Sequence, residues 1–337
     1  MLRAAILFFL FQKQLSSNYM KKKAVIVGSN GQDGTLLSEY LHDCNYSVLG
    51  VDRDGLASNG IEWNQPVNIS KEDEVAELIK AIRPDEIYYL AAVNQSSEDR
   101  KANDLELYQK SYSINVFSLI NFLEAVRLYS PNSRVFYASS SMVFGQSKTE
   151  KQNEETPFNP DTIYGITKLD GLLACRSYRN IHNIFASVGI LYNHESALRT
   201  ENFISRKVIQ GAIDIKNQKK KELVVGDLNA SADWGYAPDF VRAMHSLLKT
   251  EKSGEYIVST GQKHSVRDMV ARVFSDLELD WKEFVREDKR ILTREKEALI
   301  GDHTKLSKMT GWKPSISFDD MISSIAKQLL DDTSSKN

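Results

Sequence analysis

The chain has 337 residues, 42% hydrophobic and 26% charged, with a formal net charge of −2, a length that suits one large α/β unit with an appendage and is ample for a buried core. Its near-balanced charge, with no long basic run beyond the lysines at 219–221, which read as a solvated loop, argues against nucleic acid or a membrane as partner. Two cysteines, Cys44 and Cys175, lack metal-ligand spacing and a disulfide framework, which points to a reducing, cytoplasmic setting and no metal site.

At the N-terminus an apolar run at 4–11 is too short to cross a bilayer, for which about 20 residues are needed. No clean cleavage site follows it, so residues 1–19 read as an extension ahead of a natural start at Met20. Strand-like and helix-like segments then alternate. "KAVIVG" is a short β-branched strand, "GTLLSEYLHDC" has helical spacing at Leu36, Leu37 and Leu41, and "YSVLGVDRD" is a second strand.

Between the first strand and helix lies "GSNGQDG", with Gly28, Gly31 and Gly34 at intervals of three. Glycine there lets the backbone approach a pyrophosphate resting on a helix N-terminus. At the end of the second strand Asp52 is suited to accept both hydroxyls of an adenosine ribose, which argues for NAD. Arg53 follows it and argues for NADP, so the cofactor reads as NAD(P) with the two residues in conflict. Asn68, followed by Ile69, is a candidate to face the adenine, although a turn asparagine explains it nearly as well.

Further along, "SKEDEVAELIKAIRP" reads as a helix with Ser70 as N-cap and Pro84 as stop, followed by the strand "DEIYYLAA", which ends in Leu90, Ala91 and Ala92. A long amphipathic stretch at about 113–128 contains Asn115, and the strand "SRVFYASS" leads to Ser140, Ser141 and Met142. The alternation predicts an α/β fold, a doubly wound parallel sheet covered by helices on both faces.

Tyr164 and Lys168 in "YGITK" lie one helical turn apart, so both can face the end of the sheet. A nearby ammonium lowers the pKa of a phenol and lets it exchange a proton with a sugar hydroxyl. Ser140, at the mouth of the preceding strand, can bond the same oxygen.

The chain resembles the extended short-chain dehydrogenase/reductases and, within them, the GDP-mannose 4,6-dehydratase family. The likeness runs from about Lys21 to about Leu330 and rests on "GSNGQDG", "QNEETPFNPDTIYGITK", "GILYNHES", "ENFISRKV", "ADWGYAPDFVRAM", "GQKHSVRDM" and "GDHTKL…GWKP". The resemblance implies NADP held by a Rossmann-type domain over 20–190, a nucleotide-sugar substrate held by a smaller mixed α/β domain mainly over 191–337 and interleaved with the first, and homodimers or homotetramers. It makes Ser140, Tyr164 and Lys168 catalytic, Asn115 a structural and proton-relay residue, and Asn193, Arg206 and Lys207 part of the sugar-nucleotide grip. With the residue reading it gives an expected cofactor set of Gly28, Asn30, Gly31, Gln32, Asp33, Gly34, Asp52, Arg53, Asn68, Ile69, Leu90, Ala91, Ala92, Asn115, Tyr164 and Lys168. The expected substrate set is Ser141, Met142, Asn193, His194, Glu195, Arg206 and Lys207.

The reaction implied by the resemblance oxidises C4 of a hexose, removes the C5 proton, loses water from C6 and returns the hydride there. Its C5 base is a glutamate two residues beyond a catalytic threonine; here those positions hold Met142 and Ser140. A thioether takes no proton from carbon, and loss of a general base costs on the order of 10² to 10⁴ in rate. Val93, Asn94 and Gln95 replace a Gln-Ser-His stretch, and Ala232 and Leu292 stand where arginines are expected. Lost arginines remove bidentate phosphate clamps, for which Arg199, Arg290 or Arg294 are candidate substitutes.

Glu98, Asp99 and His194 are candidate replacement bases, whereas Glu154 and Glu155, ahead of the tyrosine helix, read as solvated or capping residues. Three readings are open. They are a GDP-hexose 4,6-dehydratase-like enzyme with the dehydration step in question, a 4-keto-sugar-nucleotide reductase or 4-epimerase, and a non-catalytic nucleotide-binding regulatory protein. The intact Tyr164 and Lys168 count against the last.

Overall fold

The computed structural model describes residues 21–94, 103–292 and 298–334. Six strands form a parallel sheet: β1 (Lys23–Val27), β2 (Ser47–Asp52), β4 (Glu86–Tyr89), β5 (Arg134–Ser140), β6 (Ala186–Leu191) and β11 (Glu255–Val258). A seventh, β3 (Gly55–Asn59), pairs antiparallel with β2 at one edge, giving the order β11-β6-β5-β4-β1-β2-β3. The strands read as near-continuous apolar runs because both faces are covered. Val25 and Val27 pack on one side with Leu78, Leu123 and Leu172, while Ala24 and Ile26 pack on the other with Leu37, Met244 and Leu306.

The helices that cover the sheet include α1 (Gln32–Asp43), α2 (Glu72–Ile82), α3 (Asp104–Tyr112), α4 (Ser118–Tyr129) and α5 (Ile163–His182). The remaining short strands are β7 (Asn193–Glu195), β8 (Leu223–Val225), β9 (Ser231–Ala232), β10 (Trp234–Tyr236), β12 (His264–Ser265) and β13 (Val285–Glu287). Beyond β7 a second apolar cluster joins α6 (Ile204–Lys216) to α8 (Val266–Asp276) through Val208, Ile213, Val270 and Phe274, with Leu223 and Val285 from the paired β8 and β13. The chain leaves this lobe and returns: α7 (Ala237–Leu247) packs on the sheet side through Phe240 and Met244, and β11 adds to the sheet beside β6. Among the described residues no helix is long and apolar enough to cross a membrane.

The structure corrects several local expectations. The strand expected over 46–54 ends at Asp52 and turns back, because the Asp52↔Gly55 pairing makes Arg53 and Asp54 the two residues of a tight hairpin. The helix expected at Ser70 starts at Glu72 without a side-chain cap; Asn68 Oδ1 instead accepts the Ser70 N–H at 3.0 Å, and Glu74 reaches back to the Asn68 N–H at 2.7 Å. Ser70 Oγ lies 3.3 Å from Ser113 Oγ. The amphipathic stretch at 113–128 opens with a π-helical turn, Ser113–Phe117, before α4. This register lets Tyr89 and Tyr137 donate to the Ile114 and Asn115 carbonyls. Glu154 is half-buried rather than fully solvated: it accepts the Ile257 N–H at 2.9 Å, and burial pushes its carboxyl up. Residues 1–19, Gln95, Glu98, Asp99 and Arg294 lie outside the described residues.

Gly34 presses α1 onto the turn behind β1, where an added Cβ would stand 2.3 Å from the Gly28 carbonyl oxygen and 2.6 Å from Ser29 Cα. Backbone cannot yield there as a flexible side chain can. Gly34→Ala is therefore expected to cost about 1–3 kcal/mol, the range for overpacking, which calorimetric melting of the variant beside the wild type would measure. An unchanged melting temperature would show that α1 moves freely on the sheet.

Candidate active site

The glycine loop stands at the carboxyl ends of β1 and β4, the side on which ligands bind to open α/β sheets. Gly28 adopts φ +90°, and a Cβ on it would meet Ala91 N at 2.7 Å, so β4 and the loop can touch only through glycine. An added Cβ at Gly31 would meet only the Gly28 oxygen, at 3.5 Å, which leaves room for a ligand against the backbone. The N-terminus of α1 has no side-chain cap, and the buried Ser29 hydroxyl beside it has no hydrogen-bond partner. A first turn with open N–H groups, approached over glycine, fits the pyrophosphate of a dinucleotide.

At the adenosine end, Asp52 Oδ2 accepts the Asn30 N–H at 3.0 Å and Oδ1 accepts the Arg53 N–H at 2.8 Å. Asn68 and Ile69 lead into α2, and Ile69 O accepts from Asn121. Leu90, Ala91 and Ala92 leave β4 toward the cleft, where the Leu90 and Ala91 N–H groups both donate to Val27 O at 2.9 Å. Asn115, fully buried in the π-helical turn, takes the Val93 N–H on Oδ1 at 2.8 Å and gives Nδ2 to Thr167 Oγ1 at 2.9 Å. Its bonds thus tie the exit of β4 to α5, and its amide points at no solvent.

One cleft brings together Asp33, Leu90, Ala92, Ser140, Ser141, Met142, Tyr164, Lys168, Asn193, His194 and Glu195. Thr162 caps α5 by accepting the Gly165 N–H at 3.0 Å. Gly165 lets the helix close on the turn after β5, because a Cβ there would lie 2.5 Å from the Met142 carbonyl oxygen. Tyr164 is thereby held against the Ser140–Met142 turn and Lys168 runs beneath it. Sequence reasoning missed Thr162, Gly165 and Thr167; the Thr-x-x-Gly start of the helix is the signal that could have found the first two.

Lys168 is 1% exposed and donates to Ala138 O at 2.7 Å, with its Nζ 5.6 Å from the Tyr164 ring centroid. Burial drives its amine down to about 7 against the opposing pull of Asp33. Tyr164 is pushed up to about 12 by burial, and the groups that pull it down are Arg199 and the Ser140 hydroxyl. The expectation that Lys168 depresses this phenol is corrected: burial outweighs every pull on Tyr164, and Lys168 is not among the groups that lower it.

His194 stacks on Phe240, centroids 4.5 Å apart, and bridges the lobes: Nε2 lies 2.9 Å from Asp33 Oδ2, and Nδ1 lies 2.7 Å from Tyr192 O. Gln32 joins the same link, donating to His194 O at 3.0 Å and accepting from Ser196 Oγ at 2.8 Å. Burial pushes the imidazole down, yet the Asp33 carboxylate outweighs it and the pKa is raised. Burial likewise pushes Asp33 up, yet His194 brings it below the usual carboxylate value.

Other predicted residues separate. Glu195 is buried, accepts the Ser205 hydroxyl at 2.5 Å and lies 3.4 Å from Arg199 Nε; the Arg199 guanidinium sits 3.6 Å over the Phe203 ring. Arg206 points away from this cleft and donates to Ala197 O at 2.6 Å, while Lys207 lines a separate groove with Glu201, Gln210 and Lys220. Both follow from their place on α6, where Ile204, with Phe203 just before the helix, turns toward the cleft instead. Arg290 is exposed and bonded to Asp288 at 2.7 Å. Ala232 and Leu292 line the far end of the cleft, and Leu292 covers Gly226.

A family model described as GDP-mannose 4,6 dehydratase matches residues 25–325. GDP-mannose 4,6 dehydratase 2 of Arabidopsis thaliana is 34% identical over 323 residues, spanning 90% of this chain and 85% of its own. The Homo sapiens GDP-mannose 4,6 dehydratase is 31% identical over 335 residues, 89% of each chain. Among solved structures, RMD from Pseudomonas aeruginosa complexed with NADPH superposes with a TM-score of 0.80 at 21% identity, covering 94% of this chain and all of that one (100%). UDP-glucuronic acid 4-epimerase from Bacillus cereus in complex with UDP-glucuronic acid and NAD gives 0.76 at 21%, covering 91% and 99%. At those identities the structural likeness speaks for the fold.

These environments make two titrations measurable. The unfolded chain binds the Lys168 proton up to about pH 10.4, whereas the folded amine releases it near 7, so the burial penalty is full below pH 7 and fades as pH rises. Lys168→Met is thus expected to raise the melting temperature most at pH 6 and progressively less toward pH 10; a pH-independent difference would contradict the depressed amine. For the Asp33–His194 pair, the raised imidazole stabilises below about 6.5 and loses this as pH rises through its folded value, while the lowered carboxylate stabilises above about 3.9. Asp33→Asn should therefore destabilise most between about pH 4 and 6.5 and less at pH 9, as read by denaturant unfolding across pH.

Proposed function

This chain belongs to the GDP-mannose 4,6-dehydratase family of extended short-chain dehydrogenase/reductases, and from that premise we propose that it is an NAD(P)-dependent nucleotide-sugar enzyme acting on a GDP-hexose. The observation that carries the reading is the convergence of Ser140, Tyr164 and Lys168 beside the glycine loop in one cleft. The Gly28–Gly34 loop would hold the pyrophosphate, Asp52 the adenosine ribose, Asn68 and Ile69 the adenine side, and the Leu90–Ala92 segment the passage to the reacting end. When bound, the nicotinamide supplies the hydride acceptor and donor for the sugar carbon.

The chain's own groups perform the proton work. Tyr164, sharing the cleft with the Ser140 hydroxyl, is positioned to take the proton of the C4 hydroxyl as the carbonyl forms and to return it. Lys168 keeps N–H donors beyond the one given to Ala138, and these suit ribose hydroxyls. Ser141, Met142, Asn193, His194 and Glu195 border the space for the sugar. Asn115 is a positioning residue, because its amide is spent on Val93 and Thr167.

Met142 is the observation that favours a second reading, reduction of a 4-keto-sugar nucleotide or 4-epimerisation, because both need the C4 chemistry and no C5 base. The carboxylates described in the cleft are engaged: Asp33 by His194, Glu195 by Arg199 and Ser205, and Asp227 by Lys289 at 3.2 Å. Nothing in the relatives named above supports a non-catalytic regulatory protein.

For the assembly we infer a homodimer or homotetramer. Support comes from apolar side chains left exposed on adjoining helices, Leu105 and Tyr108 on α3, Phe117 in the turn after it, and Leu173 and Ile181 on α5. The unpaired Cys44 and buried Cys175 support the cytoplasm as its compartment.

The test is incubation with GDP-mannose and each oxidised cofactor in deuterated water, followed by mass and NMR analysis of the sugar. A 4-keto-6-deoxy product carrying deuterium at C5 is the expected result for a dehydratase. Bound but unchanged GDP-mannose, together with turnover of a 4-keto-sugar nucleotide by reduced cofactor, would replace dehydration with the second reading. Tyr164→Phe is expected to abolish turnover of whichever substrate is active while cofactor affinity changes little; retained turnover would remove the tyrosine from the mechanism.

A further inference from the structure

We propose that Asp52, together with the hairpin that follows it, makes this chain select NAD(H) over NADP(H), contrary to the NADP implied by the family resemblance. The inference rests on the dinucleotide reading of the glycine loop and deepens it.

Asp52 closes β2 beside the glycine loop, and two backbone donors hold it from different sides. The Asn30 N–H of the loop binds Oδ2 at 3.0 Å, and the Arg53 N–H binds Oδ1 at 2.8 Å. A carboxylate offers about four acceptor directions, so each oxygen keeps one for a hydroxyl. The free directions match the two vicinal hydroxyls of an unphosphorylated adenosine ribose. A 2′-phosphate carries about −1.5 to −2 near neutral pH, and the backbone bonds leave this carboxylate no easy way to swing aside from it.

Arg53 is the residue that would have to compensate, and the fold turns it outward. The Asp52↔Gly55 pair of β2 and β3 makes Arg53 and Asp54 the tip of a two-residue hairpin. The Arg53 side chain is 87% exposed, and its Nε lies 3.6 Å from Asp54 Oδ2. At the tip of β2 two carboxylates, Asp52 and Asp54, therefore face one guanidinium. Along the chain the next basic residue is Lys71, which is already bonded to Glu74 at 2.8 Å. A phosphate at the ribose 2′ position would meet excess negative charge from this edge of the sheet, with no bidentate arginine aimed at it.

Calorimetric titration of the full chain with NADH and NADPH, each alone and without sugar substrate, tests this by affinity. NADH is expected to bind at least about tenfold more tightly, the scale of one hydrogen-bonded pair involving a charged group. Asp52→Asn, which keeps the shape and an acceptor for the Asn30 N–H, should bring the two affinities within about threefold of each other by removing the fixed charge. Arg53→Ala should leave the wild-type ratio unchanged. Equal binding, or tighter NADPH, in the wild type would overturn cofactor selection by Asp52 while leaving the nucleotide-sugar reading intact. An Arg53→Ala variant that loses NADPH binding selectively would overturn the outward role given to that arginine. Binding of neither nucleotide would overturn the dinucleotide site and the inference with it.

Discussion

Burial of an amine beneath a phenol is the constraint on which the site depends. Lys168, on the buried face of α5, has almost no exposure and spends one N–H on the Ala138 carbonyl. Taking a cation out of water is expensive, and burial lowers the amine's pKa to about 7. The same burial holds Tyr164 protonated.

The surrounding architecture maintains that burial by close backbone approach. Gly165 lets the first turn of α5 meet the Met142 carbonyl, Gly34 lets α1 meet the Gly28 turn, and Gly28 lets the loop meet β4. Three elements thus converge at distances that side chains would forbid. The second lobe is fastened to this corner by polar groups: Gln32 and Asp33 of α1 grip His194 and Ser196. These bonds tie the second lobe directly to the N-terminal turn of α1.

Around this geometry the sugar end of the cleft has changed character. Met142, Ala232 and Leu292 line it with thioether and hydrocarbon where the family resemblance led one to expect a glutamate and two arginines. The gathering of Ser140, Tyr164 and Lys168 in one cleft and the family match over 25–325 are what the proposed C4 chemistry rests on. The altered wall bears on the fate of the C4-oxidised sugar and on how the diphosphate is held, and Arg199, seated over Phe203 and beside Glu195, is the cation left at that end of the described cleft.

Much of this was legible from local pattern. The period of the strands and helices, the glycine spacing at Gly28, Gly31 and Gly34, and the one-turn separation of Tyr164 and Lys168 are set by neighbours in the chain, so they survive in the sequence. Asp52 and Arg53 were visible too, but their conflict was decided only by a hairpin that turns the arginine to solvent. The pairing of Asp33 with His194 joins residues 161 positions apart, and the burial of Glu154 depends on β11, 103 positions away. Arg206 and Lys207 carry the same motif residues whichever way α6 faces, and only the packing of that helix directs them away from the cleft. Periodicity and turn chemistry act over a few residues and can be read along the chain; side-chain direction, desolvation and charge pairing depend on which distant segments arrive at the same place, and only the folded structure determines that.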